Sequence, residues 1–211
     1  MKLMISAGPT REAIDPVRFI TNHSSGKMGY ALAEAAVAAG YDVILVSGPV
    51  TLKQPEGLAE FVPVISAADM AEAIKSRFPQ VDAFISCAAV ADYRPVEIAT
   101  QKIHKQDGDM VLRLERTEDI LLTLGGLKQP HQTLIGFAAE TEDLRARALS
   151  KMERKNLDWI AANTVGVPGR GFQADTNAVT LYARTGEVFD FPLIDKKTLA
   201  GQMLKTIFKE R

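Results

Sequence analysis

The stretch TNHSSGKMG, residues 21–29, has the residue types of an anion-binding loop. Small polar side chains lead into Gly26 and Lys27 and then into a helical pattern, so helix-start N–H groups and a lysine would meet one ligand. A Walker-type loop also needs a glycine five positions before the Gly-Lys pair and a hydroxyl after it, but Thr21 and Met28 stand there. The stretch therefore predicts an anion site that is not a P-loop. The structural alternative is a helix capped by one of its two serines.

A second candidate is SCAAVADY, residues 86–93, which ends a long apolar stretch. Its small side chains would let a base or a ribose approach the backbone, and Asp92 would accept hydrogen bonds from hydroxyls or a base N–H. The alternative is structural, with Cys87 packed in the core and Asp92 capping a loop.

Four lysines add positive charge elsewhere. Lys102 and Lys105 lie in the polar segment QKIHK, and Lys151 and Lys155 are four positions apart, on one face of a predicted helix. Such lysines often form a solvated face or oppose nearby acids, but as movable point charges they also suit phosphates. Together with the two loops, they predict a site for a nucleoside triphosphate with Mg²⁺.

The elements that must position these residues alternate between strands and helices. Continuous apolar strands between amphipathic helices predict a Rossmann-like α/β fold, with a mostly parallel sheet covered on both faces. Ligands in such sheets bind beyond the carboxyl ends of the strands, where about twenty residues of predicted loop follow the first strand. The predicted strands of this alternating part are 2–6, 42–47, one near 61–65, 81–90, 133–140 and 159–163; the predicted helices cover about 26–39, 66–78, a short stretch after 117, and 142–155.

The remaining segments complete a single domain over residues 1–211. Residues 94–109 are polar and charged and predict a flexible flap, followed by an alternating strand at 110–115. Near the end, NAVTLYA (177–183) and VFDFP (188–192) flank a turn and predict a β-hairpin before a C-terminal helix.

Composition excludes several function classes. Lys and Arg number 25 against 26 Asp and Glu, so no basic field indicates a nucleic-acid partner. The single Cys87 excludes an intramolecular disulfide framework, and no signal-peptide or membrane-spanning run is present, which predicts a cytoplasmic protein. Three scattered histidines give no metal-ligand spacing. No GxSxG motif occurs, and Cys87 is predicted inside an apolar strand, which disfavours serine hydrolases and cysteine proteases.

With these residues assembled, the chain resembles the phosphopantothenate-cysteine ligase family, the second activity of the bifunctional bacterial coenzyme A biosynthesis protein. The matching motifs follow the family's order and cover nearly the whole chain. They are AGPTRE-x-x-DPVR-x-x-x-NHSSGKMG (7–29), VSGPV (46–50), CAAVADYR (87–94), KIHK (102–105), GFAAET (136–141) and KNLD (155–158). The flavin-dependent decarboxylase domain that usually precedes this domain is absent. We therefore expect no flavin, and either a free-standing ligase or a domain of a larger protein.

The resemblance implies a two-step reaction. The carboxylate of 4'-phosphopantothenate attacks the α-phosphate of CTP, which releases pyrophosphate and leaves an acyl-cytidylate; the amine of cysteine then displaces CMP. Mg²⁺ or Mn²⁺ would accompany the triphosphate. The family usually forms dimers, and the 177–192 hairpin is the expected dimer edge. No membrane partner is expected.

The resemblance also implies roles for individual residues. Lys102 would act in the activation step, although His104 replaces a lysine of the family's K-I-K-K segment. Asn22 would donate to the acyl oxygen of the acyl-cytidylate during attack by cysteine. The family's N-P-D-I appears as Thr-Glu-Asp-Ile at 117–120, which leaves backbone contacts possible there. The implied CTP contacts are Ser86, Cys87, Ala88, Asp92, Lys102, Glu118, Asp119, Ile120, Leu121, Phe137, Lys151 and Lys155.

Two other functions remain open at this point. The alternating pattern alone would suit an NAD(P)-dependent reductase, but the GxGxxG fingerprint is missing and Tyr93 is followed four positions later by Glu97 instead of a lysine. A non-enzymatic module that senses nucleotides or serves in assembly would bind CTP without releasing pyrophosphate.

Overall fold

The computed structural model describes residues 1–105, 107–140, 142–164 and 173–209. Its strands are β1 (Lys2–Ala7), β2 (Arg11–Asp15), β3 (Arg18–Thr21), β4 (Asp42–Ser47), β5 (Glu60–Pro63), β6 (Ala83–Ser86), β7 (Tyr93–Pro95), β8 (Leu114–Arg116), β9 (Thr133–Glu140), β10 (Trp159–Thr164), β11 (Thr176–Ala183) and β12 (Val188–Asp195). Its helices are α1 (Lys27–Ala38), α2 (Ala67–Arg77), α3 (Ile120–Leu127), α4 (Leu144–Arg154) and α5 (Lys196–Phe208), with a 3-10 turn at Phe78–Gln80.

Within these residues, eight strands form one sheet in the order β12-β11-β10-β9-β6-β1-β4-β5. The six strands from β10 to β5 run parallel, whereas β11 and β12 extend the sheet as an antiparallel hairpin. The predicted α/β fold, with its mostly parallel sheet and C-terminal hairpin, is thus confirmed.

Helices cover both faces of the sheet. On one face α1 and α5 contribute buried side chains such as Leu32 and Met203, and on the other α2, α3 and α4 contribute Met70, Leu124 and Met152. Central strands buried on both faces cannot alternate polar and apolar residues, which explains the continuous apolar runs of β1 and β4.

The order of the strands creates a crevice at one edge of the sheet. From β1 the chain crosses through α1 to β4 on one side, whereas β6 pairs with β1 on the other side. The loops beyond β1 and β6 are joined by hydrogen bonds: Ala89 N–H donates to the Gly8 carbonyl at 2.9 Å, and Ala91 N–H donates to the Thr10 hydroxyl at 2.9 Å. Such a switch point is where open α/β sheets bind ligands.

The prediction of a long loop after β1 is wrong, because the middle of this segment folds into the β2–β3 hairpin. The turn is stabilised by the Asp15 carboxylate, which accepts from Val17 N–H at 2.8 Å. The guanidinium of Arg11 lies 4.6 Å from the centre of the Phe19 ring across the hairpin. REAID shows no alternation of polar and apolar residues and lies within a segment rich in turn formers, so no strand pattern marks it.

Other predicted boundaries also need correction. The strand predicted at 81–90 ends at Ser86, so Cys87 follows β6 and does not lie inside a strand. Of the strand predicted at 110–115, only the last two residues are in a strand, β8, which begins at Leu114. Strand β8 pairs with β7, which was not predicted, at the base of the predicted flap.

The first helix does not use a serine cap. Its N-cap is Gly26 in the left-handed conformation, with φ of 79°, and no side chain caps it. The capping box predicted at the start of α2 is confirmed, since Ser66 and Asp69 exchange hydrogen bonds. Among the described residues, no helix combines the length and apolar character needed to span a membrane.

Candidate functional site

Two adjoining cavities occupy the carboxyl edge of the sheet at the switch point. The larger cavity has a volume of about 380 Å³ and the smaller cavity about 140 Å³. Five residues line both cavities and make them one continuous cleft: Ala88, Val90, Asp92, Phe137 and Lys151.

The smaller cavity gathers most of the residues that the sequence predicted for nucleotide binding. It lies between the loop after β6, the start of α3, β9 and the C-terminal end of α4. Of the predicted nucleotide contacts, it is lined by Ser86, Ala88, Asp92, Glu118, Asp119, Ile120, Leu121, Phe137, Lys151 and Lys155. Cys87 lines the larger cavity instead.

The acids at the start of α3 are already paired. Lys155 Nζ lies 2.7 Å from the Asp119 carboxylate, which also caps α3 by accepting from Leu122 N–H at 3.1 Å. Burial acts to raise the pKa of Asp119, but these hydrogen bonds and the positive charges outweigh it and lower the pKa. The hydrogen bond from Lys75, at 2.6 Å, lowers the pKa of Glu118 in the same way. Both acids are therefore anionic near neutral pH, and Lys155 is held at the cavity wall.

Asn22 and the start of α1 line the larger cavity. The side-chain amide of Asn22 donates one hydrogen bond to the Ala89 carbonyl at 2.9 Å, which fixes its side chain against the loop after β6. Gly29 lets α1 approach β1, because a Cβ on it would lie 2.5 Å from the Ala7 Cβ. The helix start with Gly26 and Lys27 thus faces the same cavity as Asn22. Lys27 does not contact the loop after β6 as Asn22 does. Its Nζ forms an ion pair with Asp175 at 2.5 Å.

The opposite wall holds three residues that sequence reasoning missed: Asn163, Asn177 and Lys196. Each is less than one-tenth exposed. Asn163 stands near the carboxyl end of a parallel strand, so the rule that found Asp92 would also have found it. Asn177 and Lys196 come from the antiparallel hairpin and from the first residue of α5, where that rule gives no signal.

Lys102 does not lie with the other predicted site residues. It is exposed and, although its position is described, it lines neither cavity. Its neighbour Ile103 is tied to the β2–β3 hairpin: Ile103 N–H donates to Asp15 at 3.1 Å, and the Ile103 carbonyl accepts from Arg18 at 2.9 Å. The predicted flap at 94–109 begins inside β7, and its residue 106 lies outside the described residues, as does Thr141 of the quoted GFAAET motif.

Cys87 is unsuited to nucleophilic chemistry. Burial raises the pKa of its thiol from 9.0 to about 12, with the positive charge of Lys196 acting in the opposite direction. The thiol is therefore protonated at neutral pH. Among the described residues, no three His, Cys, Asp or Glu side chains are grouped so that they could hold a metal ion by themselves.

The chain is similar to known proteins over nearly its whole length. Residues 1–210 match the family model described as the DNA/pantothenate metabolism flavoprotein C-terminal domain. The chain is 55% identical over 205 residues to the coenzyme A biosynthesis bifunctional protein CoaBC of Bacillus subtilis, a match that covers 97% of this chain and 50% of that protein. The chain thus spans about half the length of the curated relatives it matches.

Two solved structures share the fold over almost the full chain. The crystal structure of the C-terminal domain of a coenzyme A biosynthesis bifunctional protein CoaBC is 49% identical, with a TM-score of 0.83 and coverage of 98% of this chain and 93% of that one. The DNA/pantothenate metabolism flavoprotein from Streptococcus pneumoniae is 26% identical, with a TM-score of 0.84 and 99% coverage of both chains.

Proposed function

We propose, from the premise that the chain belongs to the DNA/pantothenate metabolism flavoprotein C-terminal domain family, that it is a CTP-dependent ligase. It would join 4'-phosphopantothenate to L-cysteine and form 4'-phosphopantothenoylcysteine, CMP and pyrophosphate through an acyl-cytidylate. Family membership agrees with the resemblance drawn from the sequence motifs, and the similarity to bifunctional CoaBC proteins supports a role in coenzyme A biosynthesis.

The observation that carries this proposal is the continuity of the two cavities. Ten predicted nucleotide contacts line the smaller cavity, and Asn22, predicted for the acyl intermediate, lines the larger one. A nucleotide in the smaller cavity would direct its phosphates past the shared residues Asp92 and Lys151 toward Asn22. Two substrates bound this way would meet where the cavities join, as transfer of a nucleotidyl group requires.

In the first step, a carboxylate oxygen of phosphopantothenate forms a bond to the α-phosphorus while the bond to the pyrophosphate oxygen breaks. Negative charge develops on the phosphoryl oxygens, and Lys151 and Lys155 would stabilise it from the cavity wall. We propose that Mg²⁺ or Mn²⁺ binds mainly through the triphosphate, since Mg²⁺ is commonly held by substrate phosphates and one or two carboxylates. The exposed Asp92 is the described carboxylate at the join of the cavities that fits this role.

In the second step, the amine of cysteine attacks the acyl carbon and CMP leaves. Asn22 has two amide hydrogens, and the Ala89 carbonyl accepts one of them. The second hydrogen would donate to the acyl oxygen as it gains negative charge. The contact with Ala89 would hold the amide ready for this role, so little reorganisation accompanies the reaction.

We further propose that Lys102 reaches the α-phosphate by movement of the described residues 96–105 and 107–113, called here the 96–113 segment. This segment exposes apolar side chains at Ile98, Met110 and Val111. Closure of the segment over bound substrates would bury part of this apolar surface and exclude water from the acyl-cytidylate.

A homodimer is also part of the proposal. Strand β12 forms an edge of the sheet and exposes Val188, Phe189 and Leu193 by 36–48%. Such an edge suits pairing with a second copy. A mass in solution equal to that of one chain at working concentration would exclude this pairing.

We also propose a cytoplasmic location, where a lone Cys87 would stay reduced. We further propose that a flavin-dependent decarboxylase domain works with this chain, either within the same larger protein or as a separate chain.

Pyrophosphate release tests the proposed function. Purified protein with Mg²⁺ and CTP is expected to release pyrophosphate only when 4'-phosphopantothenate is present, and to form CMP and the coupled product when cysteine is added. Binding of CTP with no release under any of these conditions would favour the nucleotide-sensing module. Oxidation or reduction of a nicotinamide cofactor by the protein would favour the reductase instead.

A further inference from the structure

The loops beyond β1 and β6 continue for a short distance as a parallel ladder. Ala89 N–H donates to the Gly8 carbonyl at 2.9 Å, and Thr10 N–H donates to the Ala89 carbonyl at 3.2 Å. These bonds pair Ala89 with Pro9. In a regular parallel ladder the next bond would run from Ala91 N–H to the Thr10 carbonyl. Here Ala91 N–H donates to the Thr10 hydroxyl instead, at 2.9 Å.

Because the Thr10 hydroxyl replaces its carbonyl in the ladder, the carbonyl can accept from another segment. The Thr21 hydroxyl donates to it at 2.7 Å, and Thr21 is the last residue of β3, directly before Asn22. Thr10 is fully buried, so water does not compete for these groups. One residue therefore binds the loop after β6 through its N–H and hydroxyl, and the end of β3 through its carbonyl.

Thr10 thereby holds both partners of the Asn22 hydrogen bond. The Ala89 carbonyl, which accepts from the Asn22 amide at 2.9 Å, also accepts from Thr10 N–H. On the other side, the residue before Asn22 is fixed to the Thr10 carbonyl. The contacts of Thr10 therefore set the direction of the second amide hydrogen of Asn22, which would meet the acyl oxygen in the second step.

We propose that Thr10 and Thr21 are positioning residues that act through Asn22 in the second step. These roles rest on the proposed function, because the acyl-cytidylate is the group that Asn22 would contact. Neither threonine lines a cavity, so their effect is on the orientation of the amide and not on the reacting atoms. Misplacing a catalytic group by about 1 Å can slow a step about 10²-fold.

A different hydroxyl holds the nucleotide side of the cleft. Thr117 Oγ1 donates to the Ala91 carbonyl at 2.5 Å, and Thr117 N–H donates to the Asp92 carbonyl at 3.0 Å. These bonds fix Asp92, at the join of the cavities, without the hydroxyl of Thr10. Loss of the hydroxyls at positions 10 and 21 should therefore spare the first step, in which the α-phosphate reacts.

Thr10→Val tests the first of the two roles, because it removes the hydroxyl and keeps the shape of the side chain. Ala91 N–H would then compete with Thr21 for the Thr10 carbonyl, which displaces the segment that carries Asn22. In rapid-quench measurements with CTP, phosphopantothenate and cysteine, CMP release should slow at least about tenfold, whereas pyrophosphate release should stay within about twofold of the wild type. Thr10→Ser keeps the acceptor and should restore CMP release.

Thr21→Val removes the other half of the same contact and should also slow CMP release alone. Thr21 is exposed, so this change should disturb the folded state little. Thr206→Val is the matched control. The Thr206 hydroxyl also donates to a backbone carbonyl, that of Gln202 at 2.9 Å, but it lies on α5 and lines neither cavity. This variant should keep both rates.

A double-mutant cycle shows whether the threonines act through Asn22. In Asn22→Asp the amide donor is already lost, so adding Thr10→Val should slow CMP release by less than about twofold further. If Thr10 served only the stability of the fold, the added change would slow the release by the same factor in both backgrounds.

Three results would overturn the positioning roles. They are normal CMP release in folded Thr10→Val or in Thr21→Val, equal slowing of pyrophosphate and CMP release, or the same loss in the Asn22→Asp background as in the wild type. If Thr10→Val fails to fold, Thr21→Val and its cycle with Asn22→Asp decide. A wild-type protein that releases no pyrophosphate would instead refute the proposed ligase, so the two failures are distinct.

Discussion

Replacing Asn22 by aspartate separates the two steps of the proposed reaction. The change keeps the shape of the side chain but turns its donor into an acceptor, which then faces the Ala89 carbonyl at 2.9 Å. The acyl-cytidylate should still form, because the groups near the α-phosphate are unchanged. Its reaction with cysteine should slow, because no N–H remains to stabilise the acyl oxygen.

The sizes of the two effects can be worked from the contacts of Asn22. Loss of one hydrogen bond to a backbone carbonyl costs about 1 kcal/mol of folding stability, or about 2–4 °C in Tm for a chain of this size. Loss of a donor to a developing oxyanion slows the step about 10²–10³-fold. The rate of the second step should therefore fall by a large factor, whereas the free energy of unfolding should fall only slightly.

Asn156→Asp is the matched control for this prediction. Asn156 donates the same kind of hydrogen bond, to the Gly125 carbonyl at 2.8 Å, but lines neither cavity. Its replacement should cost similar stability and leave the rates near those of the wild type. Rapid-quench measurement of pyrophosphate and CMP follows both steps in each variant.

The reasoning about Asn22 would be refuted by either of two results. Normal CMP release in Asn22→Asp would show that its amide does not act on the acyl intermediate. Equal slowing in Asn156→Asp would show that lost stability, and not a lost donor, explains the effect.

Three further predictions concern other parts of the molecule. Lys102→Gln should abolish pyrophosphate release while CTP binding persists, and detection of acyl-cytidylate in this variant would contradict the proposed role of Lys102 in the activation step. Because the raised pKa of Cys87 keeps its thiol neutral in the folded protein, the contribution of this group to stability is complete below pH 9.0 and declines as the pH rises toward about 12; at pH 8.5 iodoacetamide should modify the urea-unfolded protein much faster than the native one, and equal rates would contradict the raised pKa. Gly48→Ala would place a methyl group 1.8 Å from the Pro9 carbonyl oxygen and should cost about 2 kcal/mol or more, which a thermal melt would detect as a Tm lower by at least about 4 °C.

The central strands, and the edge of the sheet where the cleft lies, could be predicted from the sequence. Strands β4 and β9 match their predicted bounds, because an apolar run buried on both faces has no competing pattern. Residues beyond the carboxyl ends of such strands lie at one edge of the sheet, which predicted a ligand site near Asp92. Phe137 lies inside β9 and was named only because the family resemblance implied it.

The missed features depend on contacts between distant segments. The β2–β3 hairpin is stabilised in part by buried Glu12, which accepts from Ala67 N–H at the start of α2, 55 positions away. Asn177 reaches the cavity through a bulge in an antiparallel strand, and no local pattern marks a bulge. The catalytic role of Lys102 stays a prediction, because it depends on a second arrangement of its segment.

The walls of the larger cavity come from both ends of the chain. Asn22 stands near the beginning of the chain and Lys196 near the end, so this cavity forms only when distant segments pack together. Domains dominated by such distant contacts fold comparatively slowly. During synthesis on the ribosome, the segment with Asn22 emerges well before its opposite wall exists. A nascent chain that lacks β11 and α5 would therefore lack one wall of this cavity, and closure of the cavity would report that the last hairpin and helix have docked.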